Sequence, residues 1–174
     1  VGDTGGSIAV ENGVGELLLP GKAIWNCAPE KVLATRRGGA DTEPDRTGRL
    51  MRAVWRAGRW LGQSSNTTTA AEILSRGDYL GVSAEIIDRA LSGRLVISAR
   101  GGERKTPHFV EFFDGAATFP WKSQAAWIGG QIAARMGLDR DDAMRKAREV
   151  FRSDLHRQHL SRTTSDLPCA SEKI

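Results

Sequence analysis

Apolar side chains return at helical spacing through most of this chain, but not near its start. Across "ADTEPDRTGRLMRAVWRAGRWLG", Leu50, Val54, Ala57 and Leu61 recur at steps of three and four residues, and Met51 and Trp55 widen the stripe. That period predicts a helix with one apolar face, ended by Gly62, with Thr42 or Asp45 placed to cap its start. The same spacing predicts a helix in "NTTTAAEILSRGDYLG", capped by Asn66 or Thr67, and another in "SAEIIDRALSG", opened by Ser83 and closed by Gly93. A further helix is predicted over 121–136, with Ala125, Ile128, Ile132 and Met136 along one face and Gly137 at its end. Asp139 then caps a long helix running through Phe151.

Before residue 40 the pattern changes. Residues 5–13 suit a short amphipathic helix (Ile8, Ala9, Val10) stopped by Gly13. "VGELLLPG" and "EKVLATR" are short apolar runs between Gly, Pro and charged residues, the signature of buried strands. "RLVIS" is a later extended run, "RGGERKTPHF" a polar, turn-rich loop, and "SRTTSDLPCASEKI" an aperiodic tail expected on the surface. There is no internal repeat. The picture is helix-rich with a few short strands, too few to build a sheet alone, and it suits the C-terminal part of an open α/β protein. The opening "VGDTGGSIAV" reads like the middle of a domain, a strand end followed by a Gly-rich turn and a helix start, so the chain is expected to be a piece of a larger protein.

Composition narrows the function classes. The 174 residues are 40% hydrophobic and 26% charged, as in ordinary globular chains. No apolar run approaches the roughly 20 residues that a membrane-spanning helix needs. The formal charge is +4, with acids and bases interleaved as in "DRDDAMRKAREVFRSDLHR", a pattern of solvated helix faces rather than a nucleic-acid stripe. Cys27 and Cys169 lack metal-binding spacing and pair only if the fold brings them together. His156 and His159 stand three apart at a helix end without an evident third ligand, so they and His108 are read as solvated, and no metal is expected. No G-x-S-x-G elbow or paired carboxylates appear, and "GDTGGS" lacks the lysine and spacing of a phosphate loop, so no catalytic residue and no enzyme is expected. Trp55, Trp60, Trp121 and Trp127 sit at helical spacings and read as core or helix contacts; Trp25 is either core or a cleft aromatic.

One position carries candidate chemistry. Lys31 runs directly into Val32, Leu33 and Ala34, and an ammonium at the lip of an apolar strand needs water, a carboxylate or an anion. Its three donors and full charge suit a planar oxyanion; Glu30, Asp3 or solvent would serve it equally. Gly2 could bring a backbone N–H close to a ligand, or simply make a turn.

The blocks "EKVLA", "AGRWLG", "AAEILSRGDYLGVSAEIIDRALSGRLV", "FVEFFDGAATFPWKSQAAWIGGQIAARMGL" and "FRSDLH" come in the order found in one family. Over about residues 1–160 the chain resembles the nitrate/bicarbonate-type substrate-binding proteins of ABC transporters. The resemblance implies an α/β fold, the C-terminal part of a two-lobed periplasmic-binding-protein-like (type II) architecture. Residues 1–36 would end the second lobe and cross over, 37–160 would pack as helices on the first lobe, and 161–174 would form an irregular tail. It implies binding of a small oxyanion, nitrate or nitrite before bicarbonate, in the interlobe cleft. Delivery would be to the membrane subunits of an ABC importer, in the periplasm, without cofactor. Lys31 would donate to the anion, Gly2 would lie at the cleft wall, and Trp25 could be a cleft aromatic. The family also includes cytoplasmic nitrate/nitrite sensors that control an RNA-binding regulator, and "FRSDL" followed by a short tail resembles that branch somewhat more. One departure stands out: relatives usually read Gly-Glu-Pro-Trp-Asn where this chain has "GDTGG", so Gly5 and Gly6 replace an aromatic and an amide.

Overall fold

The computed structural model describes residues 3–163 and 167–173. In chain order the elements are α1 (Asp3–Glu11), α2 (Gly21–Ile24), α3 (Gly39–Thr42), α4 (Pro44–Leu61), α5 (Thr67–Leu74), α6 (Ala84–Ser92), strands β1 (Arg94–Val96) and β2 (Glu103–Lys105), α7 (Lys122–Met136), α8 (Arg140–Val150) and α9 (Ser153–Leu160). A 3-10 turn covers Ser64–Asn66. The chain forms two compact units, one from 1–28 and 58–112, the other from 29–57 and 113–174.

In the first unit, α1, α5, α6 and β1 gather around Val10, Ala70, Ala71, Ile86, Ile87, Ala90 and Leu95, all buried. The predicted caps of α6 are present: Ile86 N donates to Ser83 Oγ at 3.3 Å, and Gly93 closes the helix at φ +68°. Gly93 is required twice over, since an added Cβ would also collide with the Thr106 carbonyl. β1 and β2 pair antiparallel with Leu95 opposite Arg104. β2 lies in the stretch expected to be only a loop; its side chains are exposed and carry no apolar alternation to announce it.

Both strand expectations before residue 40 are corrected. "VGELLLPG" carries no strand; Leu17 N donates to Ile97 O at 2.8 Å, but among the described residues no ladder forms. "EKVLATR" also carries no strand. A strand exists only through its pairing, and among the described residues neither run has a ladder beside it. Their apolar side chains therefore stay outside, with Leu18 82% and Val32 65% exposed.

In the second unit, α7 and α8 meet through small residues. Gly129 and Gly130 are buried with Ala126 and Ala133, and a Cβ on Gly129 would lie 2.7 Å from Ala147 Cβ. The face read from periodicity is covered only in part: Ala125 is buried and Ile128 half-buried, but Ile132 and Met136 are exposed. Size explains it, because two helices come closest where side chains are smallest. α4 is likewise covered in part. Trp55 and Gly48 are buried while Leu50 and Val54 are about half exposed, and Ala57 is exposed. Trp127 and Trp60 are partly outside as well, unlike Trp55.

Helix starts were read with mixed success. Asp142 N donates to Asp139 Oδ1 at 2.7 Å, as expected for the α8 cap. α4 instead begins at Pro44, whose fixed φ suits a first helical position, and Thr42 belongs to α3. Asn66 precedes α5 but sends its side-chain amide to Trp60 O and Gln63 Oε1. The helix expected to run through Phe151 stops at Val150, and α9 is a separate helix.

Candidate functional site

Lys31 lies on the segment without regular secondary structure between α2 and α3. Its Nζ is 2.7 Å from Glu30 Oε1, and the two side chains are 83% and 50% exposed. The carboxylate alternative from the sequence is thus realised. Such an exposed pair is worth at most about 1 kcal/mol. Gly2 lies outside the described residues. Trp25 follows α2, half-buried, with its N–H donating to Gly21 O at 2.9 Å. α2 is itself tied down by Lys22, whose ammonium donates to the carbonyls of Pro107 at 2.7 Å and His108 at 3.2 Å. Nothing in the spacing of "GKAIW" signals that anchor.

The hairpin of the first unit carries three basic residues close together. A shallow cavity of about 300 Å³ is lined by Arg94, Glu103, Arg104 and Lys105. Two of its cations are already engaged: Arg94 with Asp88 at 3.1 Å, and Arg104 with the Leu18 carbonyl at 3.1 Å. The register puts Arg94 directly opposite Lys105, which repels unless solvent or an anion screens it.

The second unit holds a buried cluster that sequence reasoning missed. His156 is buried rather than solvated, at 4% exposure. Its Nε2 is 3.2 Å from Thr118 Oγ1, and its ring meets Phe119 edge-on at 5.2 Å. Nδ1 is buried without a hydrogen-bond partner among the described residues. Burial, helped by the neighbouring Arg157 charge, pushes the imidazole down to about 4, so the ring is neutral at ordinary pH. His159 packs against Gly48 so closely that a Cβ there would lie 2.5 Å from Nδ1. His156 and His159 thus face the interior of the unit while His108 is exposed, and among the described residues no group of three candidate ligands could hold a metal.

Arg157 orders the tail. Its guanidinium sits 4.9 Å from the Phe119 ring centre and donates to Pro168 O, Cys169 O, Ala170 O and Ser171 Oγ at 2.7–3.2 Å. Ser171 O in turn accepts from Lys122 N at 2.9 Å, and Lys173 N donates to Ser123 Oγ at 2.9 Å. These contacts dock residues 168–173 of the tail. Nearby, Arg152 bridges Asp154 at 2.8 Å and Asp41 at 3.4 Å; its hydrogen bond holds the Asp154 carboxyl below its usual range, and the Arg152 guanidinium is shifted up. Cys27 and Cys169 are exposed free thiols.

Comparison with known proteins finds chains similar to this one. The NMT1-like family matches residues 6–75. The nitrate/nitrite binding protein NrtA of Synechocystis sp. PCC 6803 is 30% identical over 122 residues, 68% of this chain and 27% of that protein. The bicarbonate-binding protein CmpA of Synechococcus elongatus PCC 7942 is 28% identical over 109 residues, 60% of this chain and 24% of that protein. The crystal structure of the periplasmic nitrate-binding protein NrtA from Synechocystis PCC 6803 superposes with a TM-score of 0.91 at 23% identity, covering 99% of this chain and 46% of that one. The chain thus spans about a quarter of the length of the curated relatives and about half of the solved chain. By sequence and by fold it is a relative of the nitrate/bicarbonate-type substrate-binding proteins of ABC transporters, corresponding to part of their periplasmic-binding-protein-like architecture.

Proposed function

We propose that this protein binds a small planar oxyanion, nitrate or nitrite, and hands it to an ABC importer as a non-catalytic binding protein of the periplasm. The observation that carries this reading is the superposition of nearly the whole chain on a nitrate-binding structure, supported by relatives named for nitrate, nitrite and bicarbonate binding. A further relative is a nitrate import ATP-binding protein, which supports transport as the context. Among the described residues no helix is long and apolar enough to cross a membrane, so membrane passage would rest with partner subunits.

In this reading residues 1–36 end one lobe and cross over, 37–160 pack on the other, and 161–174 form the irregular tail. Lys31 supplies the counter-charge, exchanging Glu30 for the anion, and a backbone N–H near Gly2 adds a neutral donor. Three ammonium protons and a full positive charge match an oxyanion whose charge spreads over several oxygens. Trp25 would be the wall aromatic. No metal is needed, because the lysine neutralises the anion directly.

Calorimetric titration of the protein with nitrate, nitrite and bicarbonate, beside Lys31→Ala, tests this. Saturable heat with nitrate or nitrite, reduced at least about tenfold in affinity by Lys31→Ala, is expected, the loss of one charged donor being worth roughly 1.5–3 kcal/mol. Equal binding by the variant removes Lys31 from the site. Silence toward all three anions overturns the function.

A further inference from the structure

In the second unit the buried imidazole of His156 and the segment 168–173 rest on one aromatic ring. Phe119, itself buried, meets His156 edge-on at 5.2 Å and Trp121 at 4.8 Å, and carries the Arg157 guanidinium 4.9 Å from its centre. Arg157 then holds the carbonyls of Pro168, Cys169 and Ala170 and the Ser171 hydroxyl. Ser153, three residues before His156 on α9, places its Oγ 3.0 Å from Ser171 Oγ. Two backbone groups complete the attachment: Lys122 N donates to Ser171 O, and Lys173 N donates to Ser123 Oγ, each at 2.9 Å. Trp121 gives α7 no side-chain cap, so the Ser171 carbonyl serves as acceptor for the first amide of that helix.

His156 is the member of this cluster that changes charge near neutral pH. Its Nε2 has Thr118 Oγ1 at 3.2 Å, while Nδ1 is buried without a hydrogen-bond partner among the described residues. The Nε2–H tautomer fits that setting, since it leaves a bare lone pair at Nδ1 rather than a stranded donor. A second proton would sit on Nδ1 with no acceptor beside it and with the fixed charge of Arg157 next in the chain. The segments around the ring carry Asp114 before Thr118, Lys122 on α7, Arg52 of α4 near His159, Asp154 bridged to Arg152, and Glu172 bridged to Arg148 at 3.7 Å. Of the charged groups, Arg157 is the one that weighs on the ring, and among the described residues no carboxylate pairs with it.

We propose that His156 and Arg157 form an acid-opened latch. With His156 neutral, Arg157 holds residues 168–173 against α9 and the start of α7; protonation of His156 drives its ring off Phe119 and releases that segment while the rest of the unit stays folded. Departure of the ring removes one of the three groups packed on Phe119, and the imidazolium repels the neighbouring guanidinium. The clamp thus loses its platform and gains a like charge in one step. Linkage gives the direction: the docked ring has its pKa pushed down to about 4 from an ordinary 6.5, so attachment is complete above pH 6.5 and weakens as pH falls toward 4. The latch uses no residue assigned to anion binding, so either proposal can fail alone.

Amide hydrogen exchange followed by NMR between about pH 7 and pH 4 tests the latch, with rates expressed as protection factors so that the intrinsic pH dependence of exchange cancels. The Lys122 and Lys173 amides should lose protection about tenfold or more on acidification, with the same midpoint as the His156 ring resonances. The Leu138 amide, bonded to Ala133 O at 3.0 Å at the far end of α7, should keep its protection. His156→Gln, which retains a donor for Thr118, should hold the Lys122 and Lys173 protection flat across the range. Glu172→Gln should leave the acid response in place, and Arg157→Ala should lack the protection already at pH 7. An acid loss as large in His156→Gln as in the parent would assign the response to carboxylates such as Glu172 or Asp154 and overturn the proposal. Equal loss at Leu138 would make the event unfolding of the unit and end it as well. Should His156→Gln fail to fold, the parent still decides: a ring that titrates without any change at Lys122 and Lys173 sinks the coupling.

Discussion

His156 shows how one side chain couples packing to pH. Its folded-state pKa of about 4 lies below the ordinary value of 6.5, so between those values the unfolded chain binds the proton more readily. Its contribution is fully present above pH 6.5 and is lost as pH falls toward 4, amounting to about 3 kcal/mol over that interval. Urea unfolding followed across this range should show a falling midpoint for the parent. His156→Gln, which keeps a donor for Thr118, should flatten that slope; an unchanged slope would assign it to other groups. Arg157 offers a second test. Replacing it with Ala strands several carbonyls and removes the cation over Phe119, at an expected cost of roughly 2–4 kcal/mol. Limited proteolysis should then cut within 168–173, whereas the parent resists. Neither role was readable from "DLHRQHL", because nothing local says that Phe119 and the tail carbonyls converge on that helix.

At the scale of elements, α7 against α8 is decided by glycine geometry. Gly129→Ala would place Cβ 2.7 Å from Ala147 Cβ and 2.9 Å from the Ala143 carbonyl, so the helices must separate. A loss of about 1–3 kcal/mol in thermal or urea unfolding is expected. Gly130→Ala meets Met144 Cγ at 3.3 Å, a flexible side chain that can yield, and alanine's helix propensity of up to about 1 kcal/mol over glycine should leave that variant near neutral. Equal effects from both would deny the close contact. The sequence marked α7, its Gly137 stop and the Asp139 cap of α8 correctly, since these depend on neighbours within a few residues. It located the covered faces of α7 and α4 only in part, with Ala125 and Trp55 buried but Ile132, Met136, Leu50 and Val54 exposed, because periodicity locates an apolar stripe without saying what covers it. β2 and α9 escaped notice for a related reason: one is a charged strand existing only by pairing with β1, the other a short helix defined by its partners.

Across the whole molecule, a series of large apolar residues faces outward, from Val14, Leu18 and Leu19 to Ile24, Val32 and Leu33. Together these side chains make an exposed apolar surface. The substitutions Leu18→Lys and Val32→Lys should leave unfolding within about 0.5 kcal/mol of the parent, because exposed positions contribute little to stability. They should also lower binding of a hydrophobic dye and raise solubility; a marked loss of stability would mean these side chains are packed.

The chain's local chemistry by itself determined where helices start and stop at Ser83, Gly93, Gly137 and Asp139, that the protein is helix-rich, and which ordered blocks tie it to its family. Those features rest on dihedral preferences, caps and spacings that reach only a few residues. Tertiary structure alone decided which faces of α4 and α7 are covered, that His156 is neutral and buried, that Arg157 holds residues 168–171, and that among the described residues the two early apolar runs lack a ladder. Burial and pairing depend on segments far apart in the chain, and no local pattern encodes the neighbour that completes them.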